Sequence, residues 1–444
     1  MAMAETYKEA EKTPELFTTR SHLTGETVNR FAHIQQSPED IIQKVLMLRA
    51  MGRQTACCFQ RCAGMDAVNS VYAITHDIDA EYGTAYHERF KEFMRYIQGE
   101  DLVPAACMTD SKGERGLSPS EQPDRDQYLH IAEERSGGVV VRGSKLHITG
   151  GVNSHELLVM PTRALKEEDR DYAISFAVPS DTRGITFIFG RQPSDTRRSE
   201  QGQPDVGNAY FGGCESLVVF DDVFVPEERI FMKGEYPFTG RLVELFAANH
   251  RTSYGGCKVG VGDVLIGATQ AIAEAHGIER AAHYRDKLAE MIHLNETLHG
   301  VALASAAMGR QTGSGSYAVD QLLANVCKLN IGRFPFEISR LAQDIAGGLM
   351  VTMPSLEDQH HPEIGAYVKK YMCGREGVSS DQRMRILRLI ENLTLGAGAA
   401  SYLTESIHGA GSPQAQKIMI TRLADIASAK SCALNLCGAG PGLE

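Results

Sequence analysis

The stretch ISFAVPSDTRGITFI, residues 174–188, decides the class of the fold. Two short runs rich in β-branched and aromatic residues, Ile174–Val178 and Ile185–Ile188, are separated by Pro, Ser, Asp and Gly, the residues of turns. Runs of the same kind stand at Val139-Val140-Val141, Leu157-Leu158-Val159 and Leu217-Val218-Val219-Phe220. Together they predict a compact antiparallel β domain over residues 104–238, closed by FDDVFVPEERI. Outward from it the period changes to that of helices. Ser37-Pro38-Glu39-Asp40 is a helix start, with Ser as N-cap and Pro at the first helical position, and residues 1–103 read as an N-terminal helical domain. After Phe238, Val261, Val264, Leu265 and Ala268 share one face of a helix, as do Ile386, Leu389, Ile390 and Leu393. Residues 239–444 therefore read as a C-terminal helical bundle, and the expected class is α+β.

With 444 residues, 43% hydrophobic and 23% charged, the chain is long enough for two or three domains around a large core and has an ordinary globular composition. No apolar run reaches the length of a membrane span, and the N-terminal MAMAETYKEAEKTPE is no signal peptide, so the expected location is the cytoplasm. A net charge of -11 argues against a nucleic-acid partner, which needs basic patches. Ten cysteines in such a chain point to reduced thiols and metal ligands rather than a disulfide framework.

Four residues carry the chemistry: Cys58 and Cys62 in TACCFQRCAGMD, and His250 and Cys257 in NHRTSYGGCKVGVGD. Three thiols and one imidazole, delivered in two pairs, make a first shell for an iron–sulfur cluster with one nitrogen ligand. On a helix, the spacing of Cys58 and Cys62 puts both sulfurs on one face. Between His250 and Cys257, Gly255-Gly256 offers a bend that returns both side chains to a common point. The same four residues also suit a closed tetrahedral zinc site, and each has a plainer reading as a packing cysteine or a core histidine. Cys107, Cys214, Cys327, Cys373, Cys432 and Cys437 have no partner at metal-like spacing and read as packing residues. No Rossmann or Walker fingerprint stands at a strand-to-helix junction.

The runs CFQRCAGMD, MTDSKGERGLSPS, HITGGVNSHE, SYGGCKVGVGDV, HLNETL, DIAGGLMVTMPS and TESIHGAGSPQAQ extend the pattern along the chain. In them the sequence resembles the flavin-dependent, iron–sulfur 4-hydroxybutyryl-CoA dehydratases, also called vinylacetyl-CoA Δ-isomerases, within the 4-hydroxyphenylacetate 3-hydroxylase family of flavoproteins. The similarity runs from about Leu16 to the last helix. Two departures stand out: the sequence starts later than the family pattern by some tens of residues, and Cys57 sits where a small residue would do.

The resemblance implies an acyl-CoA dehydrogenase-like fold, FAD and a 4Fe–4S cluster as cofactors, and a CoA thioester as substrate, whose phosphates a local Lys and Arg cluster can hold on an acidic protein. It implies FAD contacts at Met108, Thr109, Lys112, Arg115, His147 and Thr149. A second subunit is implied to reach the flavin through Arg333 and the Gly347-Gly348 turn, in a homotetramer with FAD at its interfaces. Dehydration of 4-hydroxybutyryl-CoA to crotonyl-CoA defeats a simple base, because the β-hydrogen that must leave is essentially non-acidic. The family's solution is a transient one-electron transfer to the flavin after α-deprotonation, with the cluster as Lewis acid on the departing hydroxide. The roles implied are metal ligation by Cys58, Cys62, His250 and Cys257, β-proton removal by His250 if it detaches from iron when substrate binds, contacts to the substrate hydroxyl from Tyr254 and Lys258, and catalytic carboxyl groups around the active site at Glu215 and Glu405. His293 and His299, on a helix without nearby thiols, read as structural. A flavin-dependent aromatic monooxygenase shares the fold but needs no cluster ligands, and another CoA thioester would be handled by the same residues.

Overall fold

The computed structural model describes residues 2–190, 207–208 and 210–439. A short helix, Ala2–Lys12, and a small hairpin of Thr18–Arg20 with Thr27–Asn29 precede three helices: α1 (Pro38–Thr55), α2 (Cys62–Tyr82) and α3 (Tyr86–Gly99). The start of α1 is as predicted, with the Ser37 hydroxyl accepting from the Asp40 N–H at 3.2 Å and Pro38 in the first turn. The hairpin is the one strand pair in the described part of the N-terminal hundred residues that helical periodicity did not announce.

Eight strands follow: β1 (Pro104–Cys107), β2 (His130–Arg135), β3 (Gly138–Thr149), β4 (Glu156–Val159), β5 (Ile174–Pro179), β6 (Ile185–Gly190), β7 (Glu215–Pro226) and β8 (Ile230–Lys233). They form two four-stranded sheets, ordered β8-β5-β4-β1 and β2-β3-β7-β6. The two runs of the opening stretch thus enter different sheets. Their rear faces share one core, where Phe176 of β5 meets Phe220 of β7 edge-on at 6.0 Å, and α2 and α3 pack on it through Ile74, Phe90 and Phe93. The expectation of a purely antiparallel β domain is corrected at one place: β1 and β4 pair in parallel, Pro104 beside Glu156. Between them the chain leaves to build β2 and β3 in the other sheet and then returns, a crossover that allows parallel pairing.

The remaining helices begin with α4 (Thr239–His276), followed by α5 (Ala282–Ala307), α6 (Gln321–Ile331), α7 (Phe334–Ala346) and α8 (Ser380–Thr394). The face of α4 predicted to be apolar is buried at Val261, Leu265 and Ala268, and α8 buries Leu387, Ile390 and Leu393, with Ile386 and Leu389 half-buried against the same core. The final helix, Ile426–Cys437, buries none of its side chains. Cys432 and Cys437 on it are exposed, as is Cys373, so these three are not packing residues; Cys107 and Cys327 are buried as expected, and Cys214 is half-buried. Among the described residues no helix is long and apolar enough to cross a membrane.

Gly255 and Gly256 do not bend α4, which runs through them unbroken for 38 residues. They serve close approach instead. A Cβ on Gly256 would lie 2.6 Å from the Val45 carbonyl oxygen of α1, and one on Gly260 would lie 2.2 Å from that of Arg49. From the other side, a Cβ on Gly52 would lie 2.4 Å from the Cys257 carbonyl oxygen. Helix α1 and helix α4 therefore touch backbone to backbone along this seam. His250 and Cys257, seven residues apart on a straight helix, come to one side through two turns of its own pitch.

Gly260→Ala should destabilise the fold by about 2 kcal/mol or more, because backbone rather than a movable side chain opposes the new methyl. Gly267→Ala, on the exposed side of the same helix with nothing within 4 Å, should instead stabilise by up to about 1 kcal/mol. Chemical denaturation of the two variants checks the contrast, and equal effects would deny the seam its role.

Candidate functional site

Helix α1 ends at Ala56, whose backbone is left-handed at φ 48°, and Gln60 is left-handed at φ 64°. Cys58 consequently lies in the tight connection between α1 and α2, not on a helix with Cys62 as the spacing suggested; Cys62 is the first residue of α2. The connection still delivers both sulfurs to the seam. The Cys62 and Cys257 thiols hydrogen-bond each other, and Cys58 is close enough to raise the cost of charge on Cys62. None of the three is in a disulfide. The bond to Cys257, together with burial, pushes the Cys62 thiol up, and burial followed by the charge of Glu405 does the same to Cys58. Cys257 moves down, chiefly through the bond from Cys62.

His250 lies two turns before Cys257 on α4, its ring stacked on Phe246 and edge-on to Tyr254 at 5.0 Å between centroids. Its Nδ1 is 2.8 Å from Oδ2 of Asp66, one turn after Cys62 on α2. Asp66 is buried and fully engaged: Lys44 Nζ of α1 approaches at 2.6 Å, and the Ser253 hydroxyl donates to it at 2.9 Å. Burial alone would raise the Asp66 pKa, but the Lys44 charge and the bond from His250 outweigh it and hold the carboxyl below its ordinary value. Sequence reasoning missed both Asp66 and Lys44; the one available signal was the spacing of Asp66 from Cys62 within CFQRCAGMD.

A second polar cluster abuts the thiols. Lys258, beside Cys257, donates to Glu405 Oε2 at 3.1 Å and to the Ser401 carbonyl at 2.5 Å, and the Tyr254 hydroxyl is 3.3 Å from Glu405 Oε1. Glu405 follows a π-helical turn, Ala400–Thr404, an irregularity that often marks functional positions. Burial works against the Lys258 charge, yet Glu405 and the neighbouring thiols hold its pKa well up. Glu215, at the head of β7, hydrogen-bonds with Thr149 and Gln60; burial and then the Glu405 charge push it up to about 8. Lys328 of α6 is a further residue that the sequence did not announce. Its ammonium lies 5.0 Å over the Tyr254 ring, opposite in fate to Lys258 at 5.2 Å, because burial and then Arg251 and Lys258 pull it down to about 7.

The expected flavin contacts also come together. Lys145, buried in β3, donates to the Met108 carbonyl at 3.0 Å and pairs with Asp110 at 2.8 Å, while the Leu146 N–H reaches the Thr109 carbonyl at 2.7 Å. These bonds pin the 108–115 loop beside His147–Thr149. Lys112 is left-handed at φ 72°, and burial followed by Arg115 lowers its pKa; burial followed by Lys112 lowers that of His147. Positive groups crowd one another here, which suits the anionic groups of a dinucleotide. Arg333 and Gly347-Gly348 stand exposed at the two ends of α7, about 20 Å apart by helix rise. His299 is buried and bonds the Gly255 carbonyl at 3.3 Å, as a structural residue would.

Among the described residues no three His, Cys, Asp or Glu side chains surround one metal-ion position. A closed zinc site requires four donors about 2.0–2.3 Å from a single centre. Ligands of a cluster each reach a different iron and stand farther apart, so three free thiols, two buried and one half-buried, with an imidazole that uses Nδ1 on Asp66 and keeps Nε2 for another partner, fit a cluster in donor type.

Residues 1–232 match the family model for the 4-hydroxyphenylacetate 3-hydroxylase N terminal part, and residues 239–438 that for its C terminal part. The chain is 54% identical over 433 residues to 4-hydroxybutyryl-CoA dehydratase/vinylacetyl-CoA-Delta-isomerase of Clostridium aminobutyricum, covering 96% of this chain and 88% of that one. The structure of an oxygen-tolerant archaeal 4-hydroxybutyryl-CoA dehydratase from N. maritimus superposes with TM-score 0.98 at 51% identity, over 100% of this chain and 88% of that one. The FAD complex of the oxygenase component of 4-hydroxyphenylacetate 3-monooxygenase follows at TM-score 0.86 and 22% identity, over 98% and 90%. The same fold extends more distantly to glutaryl-coenzyme A dehydrogenase, at TM-score 0.54 and 14% identity, over 95% and 93%.

The raised Glu215 pKa has a consequence for stability. Between the ordinary glutamate range and about pH 8 the folded chain holds a proton that the unfolded chain has released, so this contribution is full in mild acid and is lost as pH rises toward 8. Glu215→Gln should therefore gain on the wild type by a few degrees in Tm between pH 5 and pH 8. Thermal scans across that range test it, and a constant difference would show that Glu215 titrates normally.

Proposed function

The chain belongs to the 4-hydroxyphenylacetate 3-hydroxylase family, and from that premise we infer that it dehydrates 4-hydroxybutyryl-CoA to crotonyl-CoA and isomerises vinylacetyl-CoA. The observation that carries the reading is the meeting of the Cys58, Cys62 and Cys257 thiols with the Lys258–Glu405–Tyr254 cluster in one buried place. An aromatic monooxygenase has no use for three thiols gathered beside such a cluster.

In this reading Cys58, Cys62, Cys257 and His250 Nε2 hold a 4Fe–4S cluster, and FAD lies against Met108, Thr109, Lys112, Arg115, His147 and Thr149. When bound, the cluster supplies a Lewis acid for the γ-hydroxyl and FAD supplies reversible one-electron chemistry. The protein's own groups do the rest. Lys258 and Tyr254 are both anchored on Glu405; the ammonium keeps a third N–H to orient the substrate oxygen, and Tyr254 would join it by turning its one proton from Glu405 to that oxygen. Glu405 is the carboxylate for the acidified α-proton. Glu215, pushed up to about 8 by burial and then by Glu405, has a proton to donate. His250 Nε2 has a single lone pair, so it would take the β-proton only when released from the cluster, while its Nδ1 stays bonded to Asp66. Burial of Cys62, Cys257 and Lys258 keeps bulk water from competing for these protons. We further place the enzyme in the cytoplasm as a homotetramer, with Arg333 and the Gly347-Gly348 turn of one subunit reaching the FAD of another, and with no nucleic acid or membrane partner.

Protein purified without oxygen should be brown, carry iron and FAD, and form crotonyl-CoA from 4-hydroxybutyryl-CoA. Cys58→Ala and Cys257→Ala should each lose cluster iron and dehydration while keeping most of the FAD, since the flavin contacts lie in 108–149; full iron retention would deny the ligand assignment. His250→Cys separates ligand from base. A cysteine can still hold the cluster, but an iron-bound thiolate accepts a proton poorly, so iron should stay while crotonyl-CoA formation falls by about 100-fold or more. Turnover close to wild type would remove His250 as the base.

A further inference from the structure

The buried pair Lys44–Asp66 belongs to none of the roles above. Lys44 Nζ lies 2.6 Å from Asp66 Oδ1, with side chains 1% and 0% exposed, and its other acceptor is the Asn249 carbonyl at 3.4 Å. Two charges taken out of water cost several kcal/mol each, and a well-packed apolar pair would hold α1 to α2 at least as well. The geometry gives the pair a different task. Asp66 Oδ2 faces His250 Nδ1 at 2.8 Å, and Ser253, one turn along from His250 on α4, donates to both carboxylate oxygens at 2.9 and 3.1 Å. Lys44 from α1 and Ser253 from α4 both donate to this carboxylate, and the lysine charge favours its ionised form. An ionised carboxylate only accepts, so the proton between Asp66 and His250 resides on Nδ1. The lone pair is then on Nε2, across the ring.

We propose that Asp66, charge-balanced by Lys44, is the positioning residue for His250, fixing the imidazole as its Nδ1–H tautomer and turning Nε2 toward the thiol pocket. The inference rests on His250 being the nitrogen ligand of the cluster, and it adds to that reading the group that makes this nitrogen available. Without the acceptor, the half-buried ring is free to turn or to protonate at Nε2, either of which removes the iron ligand. Ligating histidines commonly depend on such a partner, whose loss weakens metal binding by about 10–100-fold.

The test removes charge and acceptor separately in the holoenzyme. Lys44→Met/Asp66→Asn deletes both buried charges but keeps an amide oxygen to accept from Nδ1; Lys44→Met/Asp66→Leu deletes the acceptor as well. Protein is prepared anaerobically with enriched iron, and iron per chain, FAD per chain and the Mössbauer spectrum are measured, none of which needs turnover. The Asn variant should keep about four irons per chain and the distinct subspectrum of the nitrogen-ligated iron, while the Leu variant should fall to about three irons and lose that subspectrum, FAD being retained in both. Full iron with an unchanged distinct iron in the Leu variant overturns the proposal, as does equal loss in both variants. Should the Leu variant fail to retain FAD, Ser253→Ala takes its place; it removes the hydroxyl that steadies Asp66 without stranding a charge. Faster loss of one iron to a chelator is then expected, and a wild-type rate overturns the proposal. A wild-type enzyme with no distinct iron would remove the cluster reading itself, an outcome separable from any difference among the variants.

Discussion

The backbone contact between α1 and α4 is the constraint on which the site depends. Glycines at 52, 256 and 260 let two helices approach until a single added methyl would strike a carbonyl oxygen. Such proximity sets where α1 must stop and where the chain can turn into α2. The left-handed Ala56 and Gln60 then carry Cys58 and Cys62 to the flank of α4 at the level of Cys257. A wider seam filled by ordinary side chains would separate these thiols by several ångströms, because interaxial distance follows the size of the residues at the contact.

Buried lysine–carboxylate pairs recur at each junction of the site. Lys44–Asp66 joins α1 to α2 behind His250, Lys145–Asp110 fixes the 108–115 loop to β3, and Lys258–Glu405 ties α4 to the turn after residues 400–404. Each is poorly justified by stability alone, since desolvation cancels much of the attraction. Each is well justified by direction. A carboxylate held by a lysine has fixed oxygens, and each of these faces another functional element: His250, the Leu129 N–H beside β2, and Tyr254.

The architecture was legible because it is carried by local pattern. Ser37-Pro38 announced α1, alternating β-branched runs announced the strands, and the face through Val261, Leu265 and Ala268 announced α4. What was not legible depends on contacts between distant segments. The parallel pairing of β1 with β4 is a matter of chain routing, invisible in either strand. Gly255-Gly256 was read as a bend because glycine is a turn residue in isolation; only the presence of α1 and α5 makes it a packing residue, with Ala302 2.3 Å from a Cβ on Gly255. The thiols and His250 were recognisable by type and by resemblance, whereas Lys44, Lys145 and Lys328 had no motif to mark them and Asp66 had only its spacing from Cys62. Charged residues usually lie in water, so a sequence gives no reason to expect these four inside.

Proton placement follows from the same burial. Lys258 and Lys328 both face the Tyr254 ring, yet Lys258 has Glu405 at 3.1 Å, while Lys328 donates, among the described residues, to the Ser406 carbonyl at 2.7 Å. A carbonyl solvates an ammonium but does not neutralise it, and Arg251 and Lys258 repel a second charge. The pocket therefore keeps one ammonium and lets the other approach neutrality. Glu215 is treated in the mirror sense: with Glu405 already opposite Lys258, a second carboxylate would be unbalanced, and it retains its proton. One ammonium thus answers one carboxylate, with an acid and an amine held near neutrality beside them. That is an inventory from which protons can move at neutral pH without leaving an isolated charge in a buried site.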